Sequence, residues 1–537
     1  FDKADRRRTR TGRLFAGWIE LYDRLDKGYR GFLEWVLAHR GRVLVIALAI
    51  LVASLALLPF IGREFLAPVD TGEFNIFLEK DPGARMIDVI NASAISVRSL
   101  MDRPEVETVF TTIGSVFGGE INTATLGVKL KPLRERRRSQ EEIIADLRRS
   151  LPPIPGTRIS FTTAGGVGAA SYQAPIEVFI RGPRIDMANR LAWSVAEVVQ
   201  GVKGTADVFA SIQQGQPEYD VVINRAKAGD YGLGTGELAS ILRTMVEGEV
   251  ATRYKEYNRE FDVRVRLIPT QRDSRKAIEN LFLATSQGKK VYLRDVASVV
   301  PASGPARVER INRQRQVTVY AQVAGRPVGD VAQDIRAGLA RLKLPAGYSV
   351  GFASEVAQME ESFKALVGAL ILSVVFIYMI LASLFGSFLH PLTIMLSLPL
   401  AIIGALVALF LTGMRINLMS LIGIVLLMGL VTKNAILLVD YIKTLRERGL
   451  SRQEAVLTAA PIRLRPILMT TMAMIFGMLP VALGLGSEAE MRQPMAVAVI
   501  GGLITSTLLT LAVVPVVYTL LDELIERWRR RRASVNP

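Results

Sequence analysis

The sequence predicts a membrane α-helical bundle of six spans joined to an α+β outer domain built from βαβ repeats. Six apolar runs each approach the ~20 residues that a helix needs to cross a bilayer. A more polar region, roughly residues 62–361, separates the first run from the other five. Within that region a strand–helix–strand pattern occurs four times, which indicates a repeated α+β unit rather than an irregular loop.

Composition supports a multidomain membrane protein without a metal centre. The chain has 537 residues, of which 50% are hydrophobic, and single domains usually have ~100–200 residues. It contains no cysteine and two histidines, which excludes disulfides, thiolate metal sites and a histidine-rich metal site. We therefore expect no metal and no cofactor. The predicted spans lie near 42–61, 363–385, 390–412, 418–442, 466–486 and 495–520.

The excess positive charge follows the predicted topology. Lysine and arginine total 66 against 50 acidic residues, for a net charge of +16. Basic residues precede span one, follow span four and follow span six, whereas the alternate turns hold only Arg415 and Arg492. By the positive-inside rule, both termini are cytoplasmic and the polar region lies on the outer face. Because the charges follow topology and only 7% of residues are aromatic, we expect no nucleic-acid partner.

The segment before span one reads as an amphipathic helix within residues 1–41. Phe15, Trp18, Ile19 and Tyr22 have helical spacing, and Leu25, Tyr29 and Phe32 continue the stripe. Such a helix lies on the cytoplasmic face of the membrane or packs on another protein domain; we favour the membrane. The chain starts at Phe1 without a visible signal peptide, so we expect it to be a piece of a longer protein or one whose start was not retained.

The outer region consists of two predicted subdomains and an insertion. Two βαβ units in succession form a ferredoxin-like βαββαβ sandwich. Units one and two are adjacent, whereas units three and four flank residues 215–312. This insertion has a predicted helix near Thr235–Glu247 and its own predicted strands, EYDVVIN, FDVRVRLI and KKVYLRDVASVV. The four units begin with the strands FNIFLEK, LGVKLKP, IEVFIRG and VTVYAQV, and their helices lie within Met86–Asp102, Glu141–Leu151, Ala188–Gly201 and Asp330–Leu342.

One lysine lies in the middle of the fourth predicted span, in GLVTKNAILLVDYIK. A cation there costs at least ~2.5–3.5 kcal/mol on insertion scales. Lys433 is ten residues before Lys443, or ~15 Å along a helix, which argues against the alternative that it reaches the membrane surface. Its partner should be a carboxylate, yet Asp440 is two turns away. Other polar groups in the spans, Thr470, Thr471 and Ser506, cannot neutralise a lysine. The sequence therefore predicts missing carboxylates on further helices.

Two glycine-bearing stretches are weaker signals. GLGTGE, Gly232–Glu237, lacks the spacing and preceding strand of a dinucleotide loop, so we predict a turn and the start of a helix. Without a Walker A sequence, ATP-driven transport by this chain is not expected. The connection Thr112–Thr125 is either an ordinary loop or the lining of a substrate path, with Phe110 and Phe117 offering apolar contacts.

Three membrane motifs resemble the C-terminal half of resistance-nodulation-division (RND) transporters, in the branch that exports hydrophobic and amphiphilic drugs. The motifs are GLVTKNAILLVDY, RLRPILMTTMAMIFGMLPVALGLG and PMAVAVIGGLITSTLLTLAVVPVVY, and FLAPVDTGEF after span one is similar too. The resemblance covers essentially the whole chain and implies spans seven to twelve of a twelve-span pump. It assigns 62–172 to a first porter subdomain, 173–214 and 313–360 to a second, 215–312 to a docking subdomain, 361–522 to a five-span bundle and 523–537 to a basic tail.

The resemblance also implies site residues. The proton relay would comprise Lys433, Asn434, Thr470 and Arg463, with an aspartate pair in the absent half. Thr112–Thr125 resembles the family's switch loop, and Ser115 stands at a third aromatic position of its drug pocket. The substrate path would comprise Phe77, Phe110, Gly114, Phe117, Gly118 and Gly119.

The function implied is proton-driven efflux of amphiphilic compounds across the bacterial inner membrane by a secondary transporter, not an enzyme. Expected partners are the N-terminal half, two further copies in a homotrimer, a periplasmic adaptor, an outer-membrane channel and membrane lipid. Two alternatives stay open. In the first, the chain is a non-transporting fragment or a scaffold half-subunit. In the second, it belongs to a metal-ion pump, an alternative that Met472 and Met474 in span five support.

Overall fold

A computed structural model describes residues 24, 27–114, 121–163, 174–212, 215–284, 290–304, 309–485 and 489–533. Six helices in these ranges are long and apolar enough to cross a membrane, as the sequence predicts. They are Arg40–Phe60, Ser354–Phe385, His390–Leu411, Leu418–Glu447, Arg452–Ala482 and Ala489–Glu523.

The chain enters the bundle through two consecutive helices, α1 (27–38) and α2 (Arg40–Leu55). Leu33 and Val36 of α1 are fully buried, and the Tyr29 hydroxyl donates to the carbonyl of Leu511, 2.9 Å away. Phe32 is exposed, so Tyr29 and Phe32 of the predicted stripe have different surroundings. The earlier members, Phe15, Trp18, Ile19, Tyr22 and Leu25, lie outside the described residues.

A four-stranded antiparallel sheet covered by two helices follows span one. Its strands are ordered β2-β3-β1-β4, so the first and third strands are central. Phe74, Ile76 and Leu78, at alternate positions of β1, are buried in the core of this unit, where α3 and α4 also contribute side chains. The elements are β1 (Glu73–Lys80), α3 (Met86–Met101), β2 (Val106–Ile113), β3 (Thr123–Leu130), α4 (Gln140–Ser150) and β4 (Thr157–Thr162).

The next unit begins with β5 (Ile176–Gly182), α5 (Ile185–Gln200) and β6 (Thr205–Ala210) and is then interrupted by the insertion. In the insertion β7 pairs with β12, and β8 pairs with β9 in a hairpin. Gly234 immediately precedes α7, which confirms that Gly232–Glu237 forms a turn and a helix start. The inserted elements are β7 (Gln216–Ile223), α6 (Arg225–Asp230), α7 (Thr235–Val246), β8 (Glu249–Glu256), β9 (Arg259–Val265), α8 (Arg275–Glu279), β10 (Phe282–Ala284), β11 (Lys290–Tyr292), α9 (Leu293–Val296) and β12 (Ala297–Gly304).

One strand predicted in the insertion is interrupted. KKVYLRDVASVV forms β11, the short helix α9 and then β12. The Asp295 carboxylate accepts a hydrogen bond from the Tyr292 N–H, 2.9 Å away, and this cap stabilises the helical turn. The prediction of one continuous strand there is wrong because a local cap outweighs β propensity.

The second sheet resumes after the insertion with β13 (Glu309–Ile311), β14 (Gln314–Val323), α10 (Val328–Leu339) and β15 (Ser349–Ala353). β14 pairs with β6 on one side and β5 on the other, and β15 pairs with β5. The resulting order, β6-β14-β5-β15, repeats that of the first sheet. The two units touch at β4 and β6, where Arg148 of α4 forms a 3.0 Å ion pair with Asp207.

Five further spans follow the second sheet. The predicted third span is two helices, α12 and α13, that meet at Leu396. α13 and α16 pack closely at Gly404 and Gly501, where a methyl group at Gly404 would lie 2.1 Å from the Gly501 carbonyl oxygen. The helices are α11 (Ser354–Phe385), α12 (His390–Met395), α13 (Ser397–Leu411), α14 (Leu418–Glu447), α15 (Arg452–Ala482) and α16 (Ala489–Ala533).

Candidate functional site

The fourth span places two polar residues at its centre. α14 has 30 residues, and Asn417 caps its start by accepting a hydrogen bond from the backbone N–H of Ser420 at 2.9 Å. Lys433 and Asn434 are the sixteenth and seventeenth residues of that helix, counted from Leu418. Consecutive residues of a helix point about 100° apart, so the two side chains have different surroundings.

Asn434 points into the bundle and joins three spans. Its side-chain amide donates to Thr471 of α15 at 3.3 Å and to Thr507 of α16 at 3.4 Å. The two threonine hydroxyls are 3.2 Å apart, and all three side chains are buried. We call Asn434, Thr471 and Thr507 the polar cluster. Such hydrogen bonds across membrane helices connect spans that would otherwise meet only through apolar contacts.

Lys433 points out of the bundle and is exposed on its surface. It makes no hydrogen bond or ion pair with any residue that the structure describes. Asp440 of the same helix is exposed too, two turns away. Among the described residues, Lys433 thus has no partner at mid-span, next in sequence to the polar cluster.

Thr470 and Arg463, also predicted for the relay, lie outside the polar cluster. Thr470 is half-buried and donates to the carbonyl of Ile467 in its own helix, 3.1 Å away. The Arg463 guanidinium lies 4.5 Å from the centre of the Tyr441 ring. Its Nε is buried without an acceptor among the described residues. Because helix α15 begins at Arg452, Arg463 belongs to a helix and not to the predicted connection.

Sequence reasoning missed Thr507 and named its neighbour Ser506. Ser506 donates to the Leu503 carbonyl of its own helix at 3.2 Å. The helical period could have identified Thr507. It is four residues after Leu503 and three before Thr510, so it lies on the same helix face as these two buried residues.

The structure describes half of the predicted substrate path. Phe77 of β1 pairs with Thr125 of β3, and Thr125 pairs on its other side with Thr112 of β2. Phe110 is two residues before Thr112 on β2 and therefore has the same orientation. Phe77 and Phe110 therefore lie on the same sheet face. The Gly114 N–H donates to Thr123 at 2.9 Å. Because β2 continues to Ile113 and β3 starts at Thr123, the Thr112–Thr125 connection is shorter than predicted. Phe117, Gly118, Gly119 and Ser115 lie outside the described residues.

Comparison with known proteins identifies the family. The model of the AcrB/AcrD/AcrF family matches residues 3–522. The chain belongs to this family. This membership confirms the resemblance to RND transporters.

Relatives of this chain include a multidrug resistance protein, a swarming motility protein and a heavy metal efflux pump of known structure. Multidrug resistance protein MdtC of Serratia proteamaculans is 31% identical over 97% of this chain and 51% of its own length. Swarming motility protein SwrC of Bacillus subtilis is 29% identical over 95% and 48%. A crystal structure of a heavy metal efflux pump matches with a TM-score of 0.82 at 26% identity, over 95% of this chain and 53% of that one. The chain thus spans about half the length of these relatives.

Proposed function

We propose that this chain is the C-terminal half of a proton-driven pump that exports amphiphilic and hydrophobic compounds from the bacterial inner membrane. The observation that carries this proposal is Lys433, exposed at the middle of an apolar helix. A lysine facing lipid at that depth costs at least ~2.5–3.5 kcal/mol. A second protein surface that carries carboxylates would remove most of this cost. An N-terminal half with an aspartate pair would supply such a surface.

Further features support an absent half. Relatives are about twice as long as this chain. The buried Arg463 Nε lacks an acceptor among the described residues. In the most apolar part of the second span only 6% of residues are buried, against 67% in the sixth. The poorly buried second span and the buried Arg463 Nε fit an incomplete bundle whose remaining helices cover both Lys433 and Arg463.

In the proposed mechanism a change of charge on the carboxylates that pair with Lys433 repacks the spans. Carboxylates paired with Lys433 bind a proton from the outer side, which frees the lysine to change partners. A proton that falls through 100 mV yields ~2.3 kcal/mol from the electrical term alone. Asn434 is the next residue and bonds to spans five and six, so the polar cluster carries a rotation of span four to both. Thr470 and Arg463 act at the rim of the same site.

The outer domain would form the substrate path. The repeated strand order, second–third–first–fourth, supports two ferredoxin-like porter subdomains, 62–172 and 173–214 with 313–360. Residues 215–312 would be the docking subdomain for an outer-membrane channel and a periplasmic adaptor. Phe77 and Phe110 would offer apolar contacts to substrates in a homotrimer whose termini are cytoplasmic and whose outer domain is periplasmic.

Co-reconstitution tests the proposal. The chain and its N-terminal half are placed in liposomes that are loaded with a lipophilic dye, and a pH gradient is imposed. We expect gradient-dependent dye transport only when both halves are present. A chain that restores no transport with its partner half is a fragment or scaffold, and transport by the chain alone would also contradict the half-pump proposal.

A second substrate class has one observation in its favour. The matched crystal structures are of a heavy metal efflux pump. Met472 of span five is exposed, whereas Met474 packs on the bundle core. Thioether sulfur is a ligand that suits Cu⁺. Thermal unfolding with dyes, Cu⁺ and Zn²⁺ separates the classes: stabilisation by metal alone would favour the metal pump.

A further inference from the structure

A buried carboxylate joins the segment after span one to the start of the helix that carries Lys433. Glu64 is 5% exposed and forms an ion pair with Arg415, whose Nη1 lies 2.9 Å from Oε2. The other oxygen accepts a hydrogen bond from the side-chain amide of Asn417 at 3.4 Å. Asn417 is the residue that caps α14. One side chain thus contacts both the turn before span four and the cap of its helix.

Backbone hydrogen bonds strengthen the same junction. The Glu64 N–H donates to the Ile416 carbonyl at 3.0 Å, and the Ile416 N–H donates to Gly62 at 2.9 Å. The Leu418 N–H donates to Phe65 at 3.0 Å. Arg63 and Ile416 form a parallel bridge. We call Gly62–Phe65 the coupling segment; its backbone holds the first residue of α14 directly.

The other side of the coupling segment contacts the second outer sheet unit. The Gly329 N–H, in the first turn of α10, donates to the Arg63 carbonyl at 2.9 Å. A methyl group at Gly62 would lie 2.3 Å from Cγ of Pro327, and one at Gly329 would lie 2.8 Å from the Arg63 oxygen. These approaches leave no room for side chains, so α10, the coupling segment and α14 meet as one packed junction.

The charge of Glu64 depends on its hydrogen-bond partners in this junction. Burial raises the pKa of Glu64, although the hydrogen bonds from Arg415 and Asn417 oppose that rise. Its carboxylate therefore depends on those two partners for its charge. Loss of Glu64 would leave Arg415 and the Asn417 amide without their shared acceptor and would loosen the cap of α14.

We propose that Glu64 is a positioning residue that makes the coupling segment a rigid link, through which movement of span four reaches α10 and the second outer sheet. This inference rests on the proposed function. Lys433 is fifteen residues after Leu418, or ~23 Å along a continuous helix, so a rotation at mid-membrane reaches the helix start without an intervening hinge. From there the bonds at Ile416, Glu64 and Arg63 carry it to Gly329.

The first experiment changes Glu64 in the complete pump that contains this chain. For Glu64→Ala we expect dye export to fall at least tenfold, while the dye dissociation constant stays within twofold. The charge-exchanged pair Glu64→Arg with Arg415→Glu should recover at least a third of wild-type export, because the ion pair is restored in reverse. Wild-type export by Glu64→Ala, or a pair no better than the single variants, would overturn the inference.

A cross-link keeps the inference testable should Glu64 variants fail to fold. The chain has no cysteine, so Gly62→Cys with Pro327→Cys allows a single disulfide. The Pro327→Cys change removes the ring atom that would clash with a side chain at Gly62. A Cβ atom at Gly62 would then lie 3.1 Å from Cβ of residue 327, and a shift of a few tenths of an ångström brings the pair into the ~3.5–4.5 Å range of disulfides. A rigid link predicts equal export by the oxidised and reduced pumps. Export lost on oxidation and regained on reduction would show that the junction must open, which contradicts the inference.

The wild-type pump separates this inference from the proposed function. Without gradient-dependent export by the wild type, the proposed function itself fails. Where the wild type exports and Glu64→Ala exports equally well, only the role of Glu64 fails.

Discussion

The side-chain amide of Asn434 donates a hydrogen bond to the hydroxyl of Thr471 on the neighbouring span, 3.3 Å away. Thr507 on the last span completes the polar cluster. Asn434 follows Lys433 directly, so a residue that faces the proposed partner half and one that ties three spans together are adjacent in the chain. This adjacency gives a physical route from a charge change to a rearrangement of the bundle.

Replacing Asn434 by leucine should destabilise the bundle. Cross-helix hydrogen bonds in membranes contribute about 0.6–1.7 kcal/mol, and the two threonine hydroxyls retain only each other as partners. We expect a lower unfolding temperature for the purified protein in detergent. Ser506→Ala is the matched control, because Ser506 bonds only to its own helix. Equal unfolding temperatures for the two variants would refute a stabilising role for the polar cluster.

Replacing Lys433 by methionine should abolish proton-driven export by the complete pump, with at least a tenfold loss. Methionine keeps the apolar length of lysine but removes the charge that pairs with the proposed carboxylates. Lys443→Met, ten residues further along the helix, should keep most of the activity, because that ammonium group contacts the Phe385 carbonyl and ring and Glu447 near the end of the helix. Dye export measured across a series of pH gradients decides between them. A Lys433→Met pump with the wild-type dependence on the gradient would disprove the coupling role.

The sequence was sufficient where local composition decides structure. Six spans follow from apolar length, and eight outer strands follow from repeated patterns that the structure contains. The sequence was insufficient where contacts between distant residues determine the structure. The choice of Thr507 over Ser506 depends on how helices pack against each other. Glu64 gave no signal, because its importance arises from contacts with residues more than 350 positions away.

Asp70 should make the stability of the outer domain depend on acid. Burial raises the pKa of this carboxyl, but hydrogen bonds from Arg136, Gln140 and Gly72 outweigh it and lower the pKa overall. A lowered pKa gives stability that is present above the unfolded value of ~3.9 and is lost as pH falls through the folded value. Asp70→Asn should therefore reduce the free energy of unfolding at pH 7 by about 1.5–3 kcal/mol.

The pH series is the decisive part of that experiment. The difference between wild type and Asp70→Asn should shrink as the pH falls through the unfolded pKa of ~3.9, because the wild-type carboxyl is then protonated on unfolding, and it should vanish below the folded pKa. Asp102→Asn, at the exposed end of α3, serves as the control and should change little. A deficit of Asp70→Asn that is the same at every pH of the series would assign the effect to packing and not to the carboxylate charge.

Phe110 should contribute to substrate binding in proportion to its apolar surface. Its side chain is 58% exposed and lies on the same sheet face as Phe77. Covering an exposed aromatic ring with an apolar substrate contributes roughly 1.5–3 kcal/mol when burial is complete, and about 1.4 kcal/mol is a tenfold change. We expect Phe110→Ala to raise KM for a lipophilic dye about tenfold with little change in kcat, and Phe77→Ala to raise it less. Ile95→Ala, which is 49% exposed on helix α3 of the same sheet unit, controls for loss of apolar surface in general. If Ile95→Ala raised KM as much as Phe110→Ala, the aromatic face would have no special role in substrate binding.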